Sequence, residues 1–158
     1  MNISTSIHLR LKHQHEAIKE IIEDKSKERI NHHPAPGKWS IYDNITHLAK
    51  YQPVFIARIN SVLNENAPVF TRYKAEDDPE FEVWRAWSTD KLIERIAIDR
   101  ERILELIGKL SPEQLKRIGV HKKFSNLTIT MWLEFFLLHE AHHMYTIFQL
   151  ANDVEIKL

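Results

Sequence analysis

Glycine is scarce in this chain: only Gly37, Gly108 and Gly119 occur in 158 residues. Tight hairpins and phosphate-cradling loops use glycine for positive φ and for close backbone approach. A turn-rich β-sandwich and a glycine-rich nucleotide loop are therefore excluded. What remains is a set of long segments in which apolar residues recur at helical spacing.

The first helix is expected over residues 4–31, with Ile7, Leu11, Ala17, Ile18, Ile21 and Ile22 on one face and Pro34, Pro36 and Gly37 ending it. Ser40 followed by Asp43 resembles a capping box, which opens a second helix from Ile41 to Asn64. Pro53 inside it should kink or break the helix. Residues 67–88 combine Pro68, Pro79, the acidic run Glu76, Asp77 and Asp78, and the aromatics Phe70, Tyr73, Phe81, Trp84 and Trp87. Aromatics that dense are normally buried, so the segment reads as a long ordered connection rather than a linker. Ser88 or Thr89 caps a third helix reaching Lys109, and Ser111-Pro112-Glu113 starts a short one. Residues 121–126 suit a loop or short hairpin, and a last helix is expected from Thr128 to Asn152. The pattern predicts an all-α fold, a four-helix bundle spanning 1–158 as one domain, with a longer crossover between helices 2 and 3.

Charge narrows the function. Lys plus Arg and Asp plus Glu balance at 22 each, which argues against a nucleic-acid partner, since phosphate binding needs a basic excess. No run of 18 apolar residues exists, and residues 1–10 hold no apolar core of signal-peptide length, so no membrane partner and a cytoplasmic location are expected. Cysteine is absent, which excludes disulfides, thiolate metal sites and a cysteine nucleophile. Histidine, at ten residues, is the outlier.

At 100° per residue, Trp132, Phe135, Phe136, His139, His143, Ile147 and Leu150 fall within about 60° of one direction. His139 and His143 thus sit at the centre of the most hydrophobic stripe in the chain, stacked about 6 Å apart. Two buried imidazoles need partners: either a metal that takes a lone pair from each, or tyrosine and backbone groups. His47, at the edge of the helix 2 stripe, is the natural third ligand. His142 lies about 80° off the stripe and reads as flanking. Residues 139–143 also spell H-E-x-x-H, but Thr146 and Gln149 stand where the extended zinc-protease motif needs Gly and His. Glu140 remains a candidate to support a ligand from behind. His8, His13, His15, His32, His33 and His121 are expected at the surface or at helix ends.

The blocks Pro36-Gly37-Lys38-Trp39-Ser40-Ile41, Ile45-Thr46-His47-Leu48, and Trp132 with His139-x-x-x-His143 occur in an order that resembles the DinB superfamily. They resemble in particular its YfiT-like branch, described as metal-dependent hydrolases and including bacillithiol S-transferases. The resemblance implies an up-down-down-up four-helix bundle, His47, His139 and His143 as metal ligands, and a homodimer. After the pair, Tyr145-Thr146-Ile147 departs from the pattern of many relatives.

Three neutral imidazoles with open positions form the catalytic rather than the structural pattern, and Zn or Ni suits them. The expected function is activation of a small-molecule thiol for transfer to an electrophile. The alternatives are metal-dependent hydrolysis through an activated water, or a non-catalytic metal-stabilised dimeric bundle in a stress response. Trp39, Tyr51 and the segment Glu76 to Asp78 are candidates to shape the pocket.

Overall fold

Short polar side chains fix where the helices begin. In the computed structural model, which describes residues 2–154, Ser4, Ser26, Ser40, Ser88, Ser111 and Thr128 each accept a backbone N–H of the following turn. Such a cap satisfies a donor that the helix itself leaves unpaired. They open α1 (Thr5–His13), α3 (Lys27–Asn31), α4 (Ile41–Asn64), α6 (Thr89–Gly108), α7 (Pro112–Leu115) and α8 (Ile129–Asn152). At α4 the capping box is complete: Ser40 Oγ accepts from the Asp43 N–H at 3.1 Å, and the Asp43 carboxylate accepts from the Ser40 N–H at 3.0 Å. Two uncapped helices, α2 (Ala17–Ile22) and α5 (Phe81–Arg85), complete the set.

Three expectations need correction or refinement. The first helix is not continuous over 4–31: a 3₁₀ turn at Gln14–Glu16 separates α1 from α2, and the chain breaks again before α3. The cause of the first break is Gln14, whose side-chain amide turns inward to donate to the Leu137 carbonyl at 2.9 Å and to Glu140 at 3.0 Å. Second, α4 runs unbroken through Pro53. Third, the crossover and the hairpin join in a small sheet: β1 (Val69–Phe70) pairs parallel with β2 (Ile118–His121), which pairs antiparallel with β3 (Ser125–Thr128). Gly119 permits this sheet to lie against the bundle, because a Cβ there would stand 2.6 Å from Val62 and 2.9 Å from Trp132 Nε1.

The bundle is built from α1–α2, α4, α6 and α8, with α4 packed on both α6 and α8, and α1 on the same two helices. Its core falls into two apolar clusters. One gathers Leu11, Phe55, Ile103, Trp132 and Phe136; the other gathers Ile18, Ile45, Leu92, Ile96 and Ile147. Between them lies a polar layer drawn from all four helical segments. Arg100, fully buried, pairs with Glu140, while Gln14 donates to the same carboxylate and Gln52 lies beside it. The Arg100 guanidinium also stacks 4.7 Å from the centre of the Phe136 ring. No helix among the described residues is long and apolar enough to cross a membrane.

Candidate metal centre

His47 on α4 faces His139 and His143 on α8, at the level of the polar layer but on its outer side. Ring centres are 5.1 Å apart for His47 and His139, 4.5 Å for His47 and His143, and 4.7 Å for His139 and His143. One nitrogen from each ring lies within 4.8 Å of the other two. His47 Nε2 and His139 Nε2 are 3.1 Å apart. Among the described residues no Asp, Glu or further His joins this group.

The surroundings fix how each ring presents itself. Asn44, one turn before His47, donates its Nδ2–H to the Ser40 carbonyl at 2.8 Å, so its Oδ1 is the atom facing His143. That oxygen accepts from His143 Nδ1 at 2.8 Å, leaving the lone pair of His143 on Nε2. The Nδ1 atoms of His47 and His139 are buried without a partner. Burial is the largest influence on all three, lowering His47 to about 2, His143 to about 3 and His139 to about 4 from the usual 6.5. The cluster is therefore neutral at physiological pH, with lone pairs available rather than like charges repelling. Convergent neutral imidazoles of this kind are a donor set that fits a divalent transition metal.

The three rings form the floor of a cavity of about 590 Å³. Trp39 walls one side, 5.1 Å from the His47 ring and 5.9 Å from that of His143. Tyr51 and Tyr73 flank the other, the Tyr51 ring centred 4.5 Å from His139 and the Tyr73 ring 5.6 Å from His47. Burial raises the pKa of both phenols, so they keep their protons. This opening is why His139 and His143 are only half-buried while Trp132, Phe136 and Ile147 on the same stripe are fully enclosed.

Other sequence expectations divide. Trp39, Tyr51 and Glu76 line the cavity as anticipated, and exposed His142 stands at its rim. Asp77 and Asp78 do not line it: Asp77 pairs with Lys74 at 3.3 Å, and Asp78 accepts from the Tyr73 hydroxyl at 2.9 Å. Glu140 does not back a histidine; one residue beyond His139 it has rotated into the core to meet Arg100. His15 and His121 are buried rather than superficial, because the 3₁₀ turn pulls one inward and the hairpin pins the other. His121 Nδ1 accepts the N–H groups of Lys123 and Phe124 at 3.1 and 3.3 Å, and its ring lines the cavity. Arg58, also in the cavity wall, carried no sequence signal, since a lone arginine on an amphipathic helix ordinarily points to water.

A family model for the DinB superfamily matches residues 10–147. The chain belongs to the DinB superfamily. The uncharacterized protein YuaE of Bacillus subtilis is 22% identical over 147 residues, covering 82% of this chain and 88% of YuaE. Among solved structures, YfiT from Bacillus subtilis, presented as "a probable metal-dependent hydrolase with an unusual four-helix bundle topology", superposes with a TM-score of 0.79 at 19% identity. The match covers 96% of this DinB-superfamily chain and 89% of YfiT. A second four-helix bundle protein, TT2238, gives a TM-score of 0.65 at 17% identity over 90% of this chain and 95% of its own. These likenesses establish the four-helix bundle as the fold the superfamily member shares.

Proposed function

We propose that His47, His139 and His143 hold a divalent metal, Zn or Ni, and that the chain is an enzyme activating a low-molecular-weight thiol for transfer to an electrophile. The observation that supports this most is the convergence of three neutral imidazoles at the floor of an open cavity with no fourth ligand beside them among the described residues. A structural metal is normally enclosed by four protein ligands, whereas a catalytic one keeps a position free for a reactant. When bound, the metal favours the deprotonated form of a thiol or a water entering the cavity.

The protein's own part is to place and shelter the reactants. Asn44 holds His143 in the tautomer that offers Nε2. Trp39 and Tyr73 set aromatic faces beside the His47 ring. In the transfer, the thiol loses its proton to solvent, a bond forms between sulfur and the electrophilic carbon, and the leaving group departs with its electron pair. Absence of cysteine in the chain means the thiol arrives as a substrate, and the proposed compartment is the cytoplasm. The expected partner is a second copy of the chain, and the exposed face of α8 that presents Met131, Leu138 and Tyr145 at seven-residue spacing is where apolar surface is available for it.

Hydrolysis is the second reading, favoured by the superposition on YfiT and the description that protein carries. The test compares metal-loaded and chelated protein in two assays. One follows conjugation of a small thiol to 1-chloro-2,4-dinitrobenzene, with release of chloride; the other follows cleavage of a chromogenic ester. Metal-dependent conjugation supports the transferase, metal-dependent ester cleavage alone supports the hydrolase, and neither activity with loss of folding on chelation points to a structural metal. Metal analysis decides the ligands: His139→Ala should retain little of the near-stoichiometric metal of the wild type, and equal contents would overturn the assignment.

A further inference from the structure

Beyond the histidines, one wall of the cavity holds a buried cation with no counter-charge and two hydrogen-bond donors with no acceptor among the described residues. Arg58, on α4, is nine-tenths buried and is held at two points: Nη1 donates to the Tyr51 hydroxyl oxygen at 3.0 Å and Nη2 to the Thr71 carbonyl at 2.7 Å. Among the described residues no carboxylate pairs with it, in contrast to Arg100, which is buried against Glu140. Its guanidinium carbon instead lies 5.6 to 5.8 Å from the ring centres of Phe70, Tyr51 and Trp132. Aromatic faces compensate a buried cation only in part, and buried charges are ordinarily paired with an opposite charge.

The two neighbours of Arg58 in this wall repeat the imbalance. Tyr51, already accepting from Arg58, keeps an O–H that meets no acceptor among the described residues. His121 has its Nδ1 occupied by two backbone N–H groups, so as a neutral ring it carries its proton on Nε2, for which no partner exists among the described residues either. The His121 and Arg58 groups share the Trp132 ring, at 5.7 and 5.8 Å, and Tyr51 touches His139. Arg72 and Lys123 add positive charge around the same cavity, where Glu76 is the one acidic lining residue among the described residues.

The geometry points to an oxyanion-binding wall formed by Tyr51, Arg58 and His121, which takes a carboxylate or phosphate group of the molecule that reacts at the histidine cluster. A buried cation without a counter-charge, lining one cavity with two donors that lack acceptors, is complementary to such a group, and the guanidinium matches it in charge. The reading names the substrate class of the proposed enzyme as anionic and rests on the cavity being its reaction site.

The test titrates the full chain, at low ionic strength and pH 7.5, with succinate, inorganic phosphate and, as a neutral control, succinamide. Calorimetry is run on both the chelated and the zinc-loaded protein. The chelated wild type should bind succinate or phosphate at least tenfold more tightly than succinamide, and the tighter of the two assigns the group as carboxylate or phosphate. Arg58→Gln should weaken anion binding tenfold or more while its zinc content matches the wild type. Should that variant fail to fold, Tyr51→Phe keeps the ring and removes one donor, and it should lower anion affinity at least threefold. Equal binding of succinamide and the anions, or undiminished anion binding by the folded variants, would overturn the wall. Anion binding by a protein that takes up no zinc would instead leave the wall standing and remove the metal reading.

Discussion

Asn44 Oδ1 lies 2.8 Å from His143 Nδ1, so the helix that supplies one imidazole of the cluster also orients another. The two residues come from α4 and α8, and Asn44 is itself held by the Ser40 carbonyl at the start of α4. Hydrogen bonds of this kind to a ligating imidazole are commonly worth about 10–100-fold in metal affinity. Asn44→Ala should therefore weaken zinc binding by about tenfold or more without abolishing it, measured by competition with a chelating dye. Unchanged affinity would mean that His143 does not need this partner.

Acid should destabilise the metal-free protein. Below an unfolded pKa near 6.5, histidines of the unfolded chain take up protons that His139 and His15, each lowered to about 4, and His143 and His47, lowered further, refuse in the folded state. The unfolded state then binds more protons, so stability rises with pH across this window and falls as pH drops from 6.5 towards about 4. Urea midpoints measured between pH 7.5 and 4.5 check this, and a midpoint that holds or rises on acidification contradicts it. Bound zinc should be retained through the upper part of the window, because protons compete poorly for rings whose folded pKa values are so low.

Removing either half of the ion pair between Arg100 and Glu140 leaves a buried charge alone, at a typical cost of about 3–5 kcal/mol. Glu140→Leu should be destabilised by that order in chemical denaturation. The double variant Arg100→Met with Glu140→Leu removes both charges and should lose markedly less than the sum of the single changes. Strict additivity in that cycle would show that the two residues are not coupled.

At Gly119 the constraint is space. A methyl group there meets Val62 and Trp132 at less than 3.0 Å, both of them already packed in the core. Gly119→Ala should cost about 1–3 kcal/mol through displaced side chains. Because β2 also carries His121, the same change should alter its imidazole resonances in NMR spectra, while a purely local methyl accommodation would leave them in place.

Much of this arrangement is legible in the residues. The Ser40–Asp43 capping box marks the first residue of α4, and the spacing of Trp132, Phe136, His139, His143 and Ile147 orients α8. Those two local signals suffice to bring His47, His139 and His143 together once the helices pack. The features that stay hidden depend on contacts across the chain. Nothing near Gln14 announces that its amide will reach residues 137 and 140 and break a helix. A two-residue strand such as β1 has no alternation to read, and its pairing with β2 joins segments some fifty residues apart. His121 and Arg58 look solvated because charge and polarity are all that a sequence displays, whereas their burial is imposed by Trp132, Phe70 and the hairpin turn.

His139 and Glu140 are adjacent on α8, yet one looks into the cavity and the other into the polar layer. Rotating or sliding that helix by a single residue would draw the imidazole away from His47 and strand the carboxylate away from Arg100 at once. The ion pair thus works as a key in a lock: an incorrectly seated α8 parts its own Glu140 from Arg100 of α6 and leaves both charges uncompensated, a far larger penalty than misplacing the histidines alone would bring. Correct assembly of the bundle and correct assembly of the cluster become one event, so a chain that has folded has already aligned its three imidazoles.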